Sequence, residues 1–92
     1  MKHTWDPNKN DRNIRKHGID FVDVEVMFER PMVMFPDDRV DYGEDRWIGI
    51  GWLDAILAVV VFVEPGDDTR RIISARKATA YEREIYRQEI PN

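Results

Sequence analysis

A chain of 92 residues makes one domain, residues 1–92, large enough for a single core without covalent staples and too small for two lobes. It has no cysteine, which excludes a disulfide framework and a thiol nucleophile, and 42% hydrophobic with 35% charged residues places it among ordinary globules rather than disordered chains. The net charge of −4 is uneven: residues 69–92 hold six Lys/Arg against three acids, a balance of +3 that leaves −7 for residues 1–68, compatible with a basic working face on an acidic body and equally with a basic face that docks on an acidic partner protein.

Met1 to Asp6 runs straight into polar sequence, unlike a signal peptide, and the longest apolar run, residues 56–63, is far too short to span a bilayer. A cytoplasmic protein without a membrane partner is expected. Residues 2–5 read as a short strand. Asp6 is a good N-cap and Pro7 suits the first helical position, so a helix is predicted over 7–17, polar except for Ile14 and stopped by Gly18. Asp20 caps a second helix, with Ile19 able to staple onto Val24; Phe21, Val24 and Phe28 recur at helical spacing, Met27 widens the stripe, and Pro31 ends it.

Residues 32–35 are a short apolar strand, and 36–44 form an acidic loop by their turn residues. Residues 46–52 alternate, with Ile48, Ile50 and Trp52 on one face and Trp47, Gly49 and Gly51 on the other, a strand whose glycines admit a close approach. Asp54 and Ala55 turn the chain into residues 56–63, whose unbroken aliphatic run predicts the central strand, buried on both faces. After a turn at 64–68 comes a strand in which Arg71, Ile73 and Ala75 face one way and Ile72, Ser74 and Arg76 the other. Thr79-x-x-Glu82 is a capping box opening a helix over 80–89.

The predicted order is β-α-α-β-β-β-β-α. It describes an α+β domain in which a small antiparallel sheet is packed on one side by two N-terminal helices and one C-terminal helix, its other face open for a ligand. The junction of the last strand and helix is chemically the richest place, because Arg76, Lys77 and the helix N-terminal amides converge where an anion would be held. The plainer reading is a solvated strand edge followed by an ordinary cap.

Trp5-Asp6, Lys16-His17-Gly18, the helix from Phe21 to Phe28, Asp41-Tyr42-Gly43-Glu44-Asp45-Arg46, Val59-Val60-Val61 and Arg71-Ile72-Ile73-Ser74-Ala75-Arg76-Lys77-Ala78 with Glu82 and Tyr86 form an ordered set that closely resembles the BrnT family of bacterial toxins. The resemblance spans nearly the whole chain, and the Arg-Ile-Ile-Ser-Ala-Arg run is its most specific part. It implies a ribonuclease toxin of a type II toxin–antitoxin system with a RelE-like fold, cleaving RNA without a metal or other cofactor and so inhibiting translation and growth. It further implies neutralisation by a BrnA-type antitoxin, in a hetero-oligomer of two toxins with an antitoxin dimer, and contact with operator DNA only through that antitoxin.

Metal-free RNA cleavage needs a base for the ribose 2′-OH, an acid for the departing 5′-oxygen and cations for the phosphorane. His17 has a near-neutral intrinsic pKa suited to proton transfer, or is simply a cation at a helix C-terminus. Arg46, Arg71 and Arg76 are forked donors for phosphate oxygens, Lys77 is a point charge, and Lys16 beside His17 completes the candidate RNA-binding set. Arg71 faces away from Arg76, so the two do not grip one phosphate unless the strand bends. Glu82 serves as base, as cap, or as the partner that fixes the Arg76 fork. Tyr86, one turn later, donates a proton or stacks on a base, or covers the core.

Other chemistries are poorly supplied. His3 and His17 lack a neighbouring Cys or helical His pair and give no zinc spacing, Ser74 lacks the glycine-flanked elbow of a hydrolase, and no glycine loop opens a helix to cradle phosphate. The competing function is a non-catalytic interaction module acting as co-repressor with a DNA-binding antitoxin, an alternative that the net negative charge keeps open.

Overall fold

A computed structural model describes residues 1–90. β1 (Lys2–Trp5) leads into α1 (Pro7–His17), where Asp6 accepts a hydrogen bond from the Asn8 N–H, and Gly18 closes the helix at φ 70°, a conformation strained for residues with a Cβ. The second predicted helix is a single turn, α2 (Phe21–Val24), that tightens into a 3₁₀ helix over Glu25–Glu29. Its buried anchors explain the tightening: Phe21, Val24 and Met27 are almost completely buried at three-residue spacing, which a 3₁₀ helix keeps in line.

β2 (Met32–Asp37), β3 (Arg46–Leu53), β4 (Ile56–Gly66) and β5 (Thr69–Lys77) follow, and α3 (Ala80–Glu89) closes the described chain. The sheet order is β1-β5-β4-β3-β2. All neighbours are antiparallel except β1 and β5, which pair in parallel, so the sheet is mixed rather than antiparallel as expected. A parallel pair needs a long crossover, and the helices and three intervening strands supply it. β2 runs through Pro36, which an edge strand tolerates, and β4 extends to Gly66, shrinking the expected turn to Asp67 and Asp68.

β4 is buried on both faces from Leu57 to Val63, and this overturns the expectation that helices pack on one side only. Ala58, Val60 and Phe62 meet Ile19, Phe21, Val24 and Met27 in one cluster, while Leu57 and Val59 meet Ile50, Ala78, Ile85 and Tyr86 on the opposite face. An unbroken aliphatic strand must be covered twice, and α3 does so at one end of the second face. The close approach at Gly49 is made by Met32 from β2, whose Sδ would collide with a Cβ there.

A bulge in β5 changes the predicted facing of its side chains. Val61 pairs with Ser74 but Phe62 with Ile72, so Ile73 is an extra residue, and Ile72 and Ala75 both enter the first core. Directly paired residues share a face, and Val59, Val61 and Val63 are paired with Arg76, Ser74 and Arg71. Arg71 therefore shares the Arg76 face instead of opposing it. Among the described residues no helix is long and apolar enough to cross a membrane.

Candidate functional site

The part of the second sheet face that α3 leaves uncovered is a groove of about 630 Å³. Its floor is Phe35, Ile48, Val59 and Val61, and its walls are Lys16 and His17 from the end of α1, Arg39, Arg76, and Tyr81, Glu82 and Ile85 of α3. A smaller hollow, about 520 Å³, lies among the acids of the β2–β3 loop and holds Arg46. The first is the better candidate for an anionic ligand, because cations line it around an apolar floor.

Arg76 and Glu82 are its fixed pair. Nη1 donates to Oε1 and Nη2 to Oε2, both at 2.7 Å, and Nη1 also reaches the Lys77 carbonyl at 3.3 Å. The capping box is complete: the Thr79 hydroxyl accepts from the Glu82 N–H, and Glu82 accepts from the Thr79 N–H at 2.8 Å. Hydrogen bonding from Arg76 pulls the Glu82 carboxyl down to about 2 against the cost of burial, while the Arg76 pKa is raised in return. A carboxylate so held is a weak base near neutrality and a strong anchor. It also occupies the α3 N-terminus, where the sequence suggests an anion site. Arg76 nevertheless keeps Nε and the second hydrogen of Nη2 unbonded among the described residues, a side-on fork of the kind phosphate accepts.

The remaining expected site residues divide. Lys16 and His17 are exposed and line the groove. Arg71 and Arg46 lie outside the groove lining, on the same face by register and beyond Val61 and Ser74, both bound to Glu44: Arg71 Nη2 at 2.8 and 3.0 Å, Arg46 Nε at 3.3 Å. Those bonds, the Arg71 contribution foremost, lower the Glu44 pKa, and Arg46 also lies over the Tyr42 ring at 4.0 Å. Lys77 pairs with Ala58 and so belongs to the opposite face, away from the groove. Tyr86 is turned to the core: its hydroxyl donates to the Pro31 carbonyl at 3.2 Å and its ring meets Trp52 edge-on, tying α3 to the sheet. The tyrosine in the groove is Tyr81, 76% exposed.

Two positions escape the sequence reading. Arg39 lies in a loop read only for its acids, yet it reaches the groove wall, with Asp37 two residues earlier as the signal that would have found it. Asn13 is buried in a helix read as merely polar. Its side chain donates to the Ile19 and Ala75 carbonyls and accepts from the Ala75 N–H, fixing α1, and with it Lys16 and His17, against β5. Among the described residues no group of three or more His, Asp or Glu is placed to hold a metal ion.

A family model described as "Ribonuclease toxin, BrnT, of type II toxin-antitoxin system" matches residues 5–82, most of the described chain and every groove element up to Glu82. The chain belongs to the BrnT family. Its fold is similar to the crystal structure of the Brucella abortus ribonuclease toxin BrnT, with a TM-score of 0.71 and 34% identity over 86% of this chain and 97% of that one. No curated protein sequence matches it. A BrnT toxin is the ribonuclease of a type II toxin–antitoxin pair, and membership therefore carries an antitoxin partner with it.

Proposed function

We propose that this BrnT-family chain is a metal-independent endoribonuclease of RelE-like fold that acts on RNA in the cytoplasm, and that the groove beside α3 is its active site. One observation carries the reading: Glu82 anchors the Arg76 guanidinium by both terminal nitrogens and leaves its side-on fork unused on the groove wall. There it holds the scissile phosphate and takes up charge as the 2′-oxygen attacks. His17 is the imidazole on the same wall and the group suited to move protons, from the 2′-OH and to the departing 5′-oxygen. Glu82 positions Arg76; Lys16, Arg46 and Arg71 extend the cationic face along the strand, and Tyr81 offers a ring for a base to stack on. Neither Lys77 nor Tyr86 has a place in the groove, and both are assigned outside the chemistry. The groups present stabilise phosphate charge directly, with no step that calls for a metal.

The antitoxin is proposed to be of the BrnA type, two toxins bound to an antitoxin dimer that contacts operator DNA. The test is cleavage of single-stranded RNA by the purified chain in EDTA. Arg76→Lys, which keeps the charge and loses the fork, should lower the rate at least about tenfold with folding unchanged. Cleavage abolished by EDTA and restored by a divalent ion refutes the metal-free mechanism. A folded chain that leaves RNA intact yet binds its antitoxin and strengthens operator binding is the co-repressor module instead.

A further inference from the structure

Arg39 stands on the groove wall without a part in the chemistry above, and its geometry is that of a built cation. Asp37, whose side chain has 0% exposure, takes Arg39 Nε on Oδ1 at 2.7 Å and Nη2 on Oδ2 at 2.8 Å, while the Arg39 side chain remains 61% exposed. Asp37 thus occupies the side-on fork and leaves the end-on pair, Nη1 with the outer hydrogen of Nη2, without a carboxylate partner among the described residues; hydrogen bonding to Asp37 raises the Arg39 pKa, and the Tyr42 side chain lies close enough to add to that effect. Arg76 is the mirror case, its end-on pair bound by Glu82 and its side-on pair unbonded. The two guanidiniums line one groove, and the charge of Arg39 is felt at Arg76. Between them lies the apolar floor of Phe35, Ile48, Val59 and Val61, flat enough in chemistry to seat a nucleobase.

We infer that Arg39, aimed by the buried Asp37, is a second phosphate clamp that holds a single-stranded RNA backbone one or more nucleotides from the phosphate at Arg76, with the intervening base on the apolar floor. The inference rests on the proposed reading of the groove as the RNA site. Arg39 contacts the strand, and Asp37 is the positioning residue behind it. Because the contact is to the backbone, it contributes affinity without base preference.

The experiment measures binding of a fluorescent, uncleavable 2′-O-methyl oligonucleotide to the full chain across a salt series, alongside cleavage of the corresponding RNA. Arg39→Gln should weaken binding on the order of tenfold at low salt and equally for different sequences. It should also reduce the slope of log affinity against log salt by about 0.7, the share of one phosphate on a single strand. Under cleavage conditions the loss should fall on KM and leave kcat near that of the wild type. Arg39→Lys should restore the slope and only part of the affinity. Asp37→Asn should weaken binding in the wild type and add nothing in the Arg39→Gln background, a coupling that a merely structural role would not produce.

Unchanged affinity and slope in folded Arg39→Gln overturn the inference while leaving the Arg76 reading in place. Loss of antitoxin affinity with RNA binding intact overturns it too, by assigning the clamp to the protein partner. A chain that binds the oligonucleotide through Arg39 yet cleaves nothing supports the clamp and refutes the nuclease.

Discussion

Replacing Glu82 by Gln separates the two jobs this residue does. Gln is compatible with the capping box and still accepts from the Thr79 N–H, so the start of α3 is preserved while the charge bound by Arg76 is removed. The gap between the ordinary 4.5 and about 2, at about 1.4 kcal/mol per pH unit, corresponds to about 3 kcal/mol at face value. The Arg76 and Glu82 side chains are 37% and 17% exposed, and solvent screening brings the expected loss to about 1–2 kcal/mol. For a domain of this size that is a fall in Tm of roughly 5–15 °C. The sign fixes the pH window. The folded pKa of Glu82 is depressed, so its contribution is complete above 4.5 and disappears as pH falls toward about 2. Urea melts of wild type and Glu82→Gln should therefore differ most near pH 7 and converge below pH 4.5. Cleavage should drop in the variant without displacement of the limbs of the pH–rate profile, since a carboxyl held near 2 does not titrate between pH 5 and 9. Equal stability at pH 7, a gap that persists undiminished in acid, or a displaced acidic limb would refute the assignment of Glu82 as anchor.

Other expectations concern the body of the fold and its partner. Burial, and then the charge of Arg70, hold the His3 pKa below 6.5 while Glu25 pulls it up; Arg70 Nη1 lies 3.0 Å from His3 Nε2, and Nδ1 faces Glu25 Oε1 at 3.4 Å. The folded pKa being depressed, wild-type stability should fall as pH drops below 6.5, and urea midpoints of His3→Gln should fall less over that range. Asn13→Ala strands the Ala75 N–H and two carbonyls in the core and should cost about 2–4 kcal/mol in urea unfolding. If the antitoxin meets the cationic groove, light scattering of the mixed proteins should give an even-numbered hetero-oligomer whose association rate falls as salt rises, and a salt-insensitive rate would place the antitoxin elsewhere.

Local rules made the elements legible. Asp6, Asp20, Thr79 and Glu82 accept from backbone N–H groups two or three residues away and Gly18 acts through its own positive φ, so the helix ends follow from local chemistry alone. The run from Leu57 to Val63 likewise declares a strand covered on both faces. The same run contains the correction to the one-sided packing, because a strand with no polar side needs a second cover, and α3 is the element available to give it. Long-range pairing is where local rules stop. Nothing in residues 2–5 says that they lie beside β5 rather than β2, and the parallel pair was invisible for that reason.

The site was half legible, and one residue accounts for much of the rest. The bulge at Ile73 adds a residue against the Val61–Phe62 step and reverses the parity of all that precedes it, bringing Arg71 to the face of Arg76. Strict alternation has no means of predicting this. Spacing to Glu82 singles out Tyr86, yet the need to tie α3 to the Pro31 carbonyl turns its hydroxyl away, and Tyr81 is the tyrosine that lines the groove. The acids were the most misleading signal. Counted by sign they argue against a polyanion ligand, but in the fold Glu82 holds Arg76, Asp37 holds Arg39, and Glu44 holds Arg46 and Arg71. Each of these carboxylates fixes the direction of a guanidinium, and at Arg39 and Arg76 leaves a second fork on the groove wall without a carboxylate partner among the described residues. A pre-aimed guanidinium loses less side-chain entropy on meeting a phosphate than a free one. The acidic balance of this chain is thus partly a set of struts for its arginines, and net charge is the wrong measure of what the groove can hold.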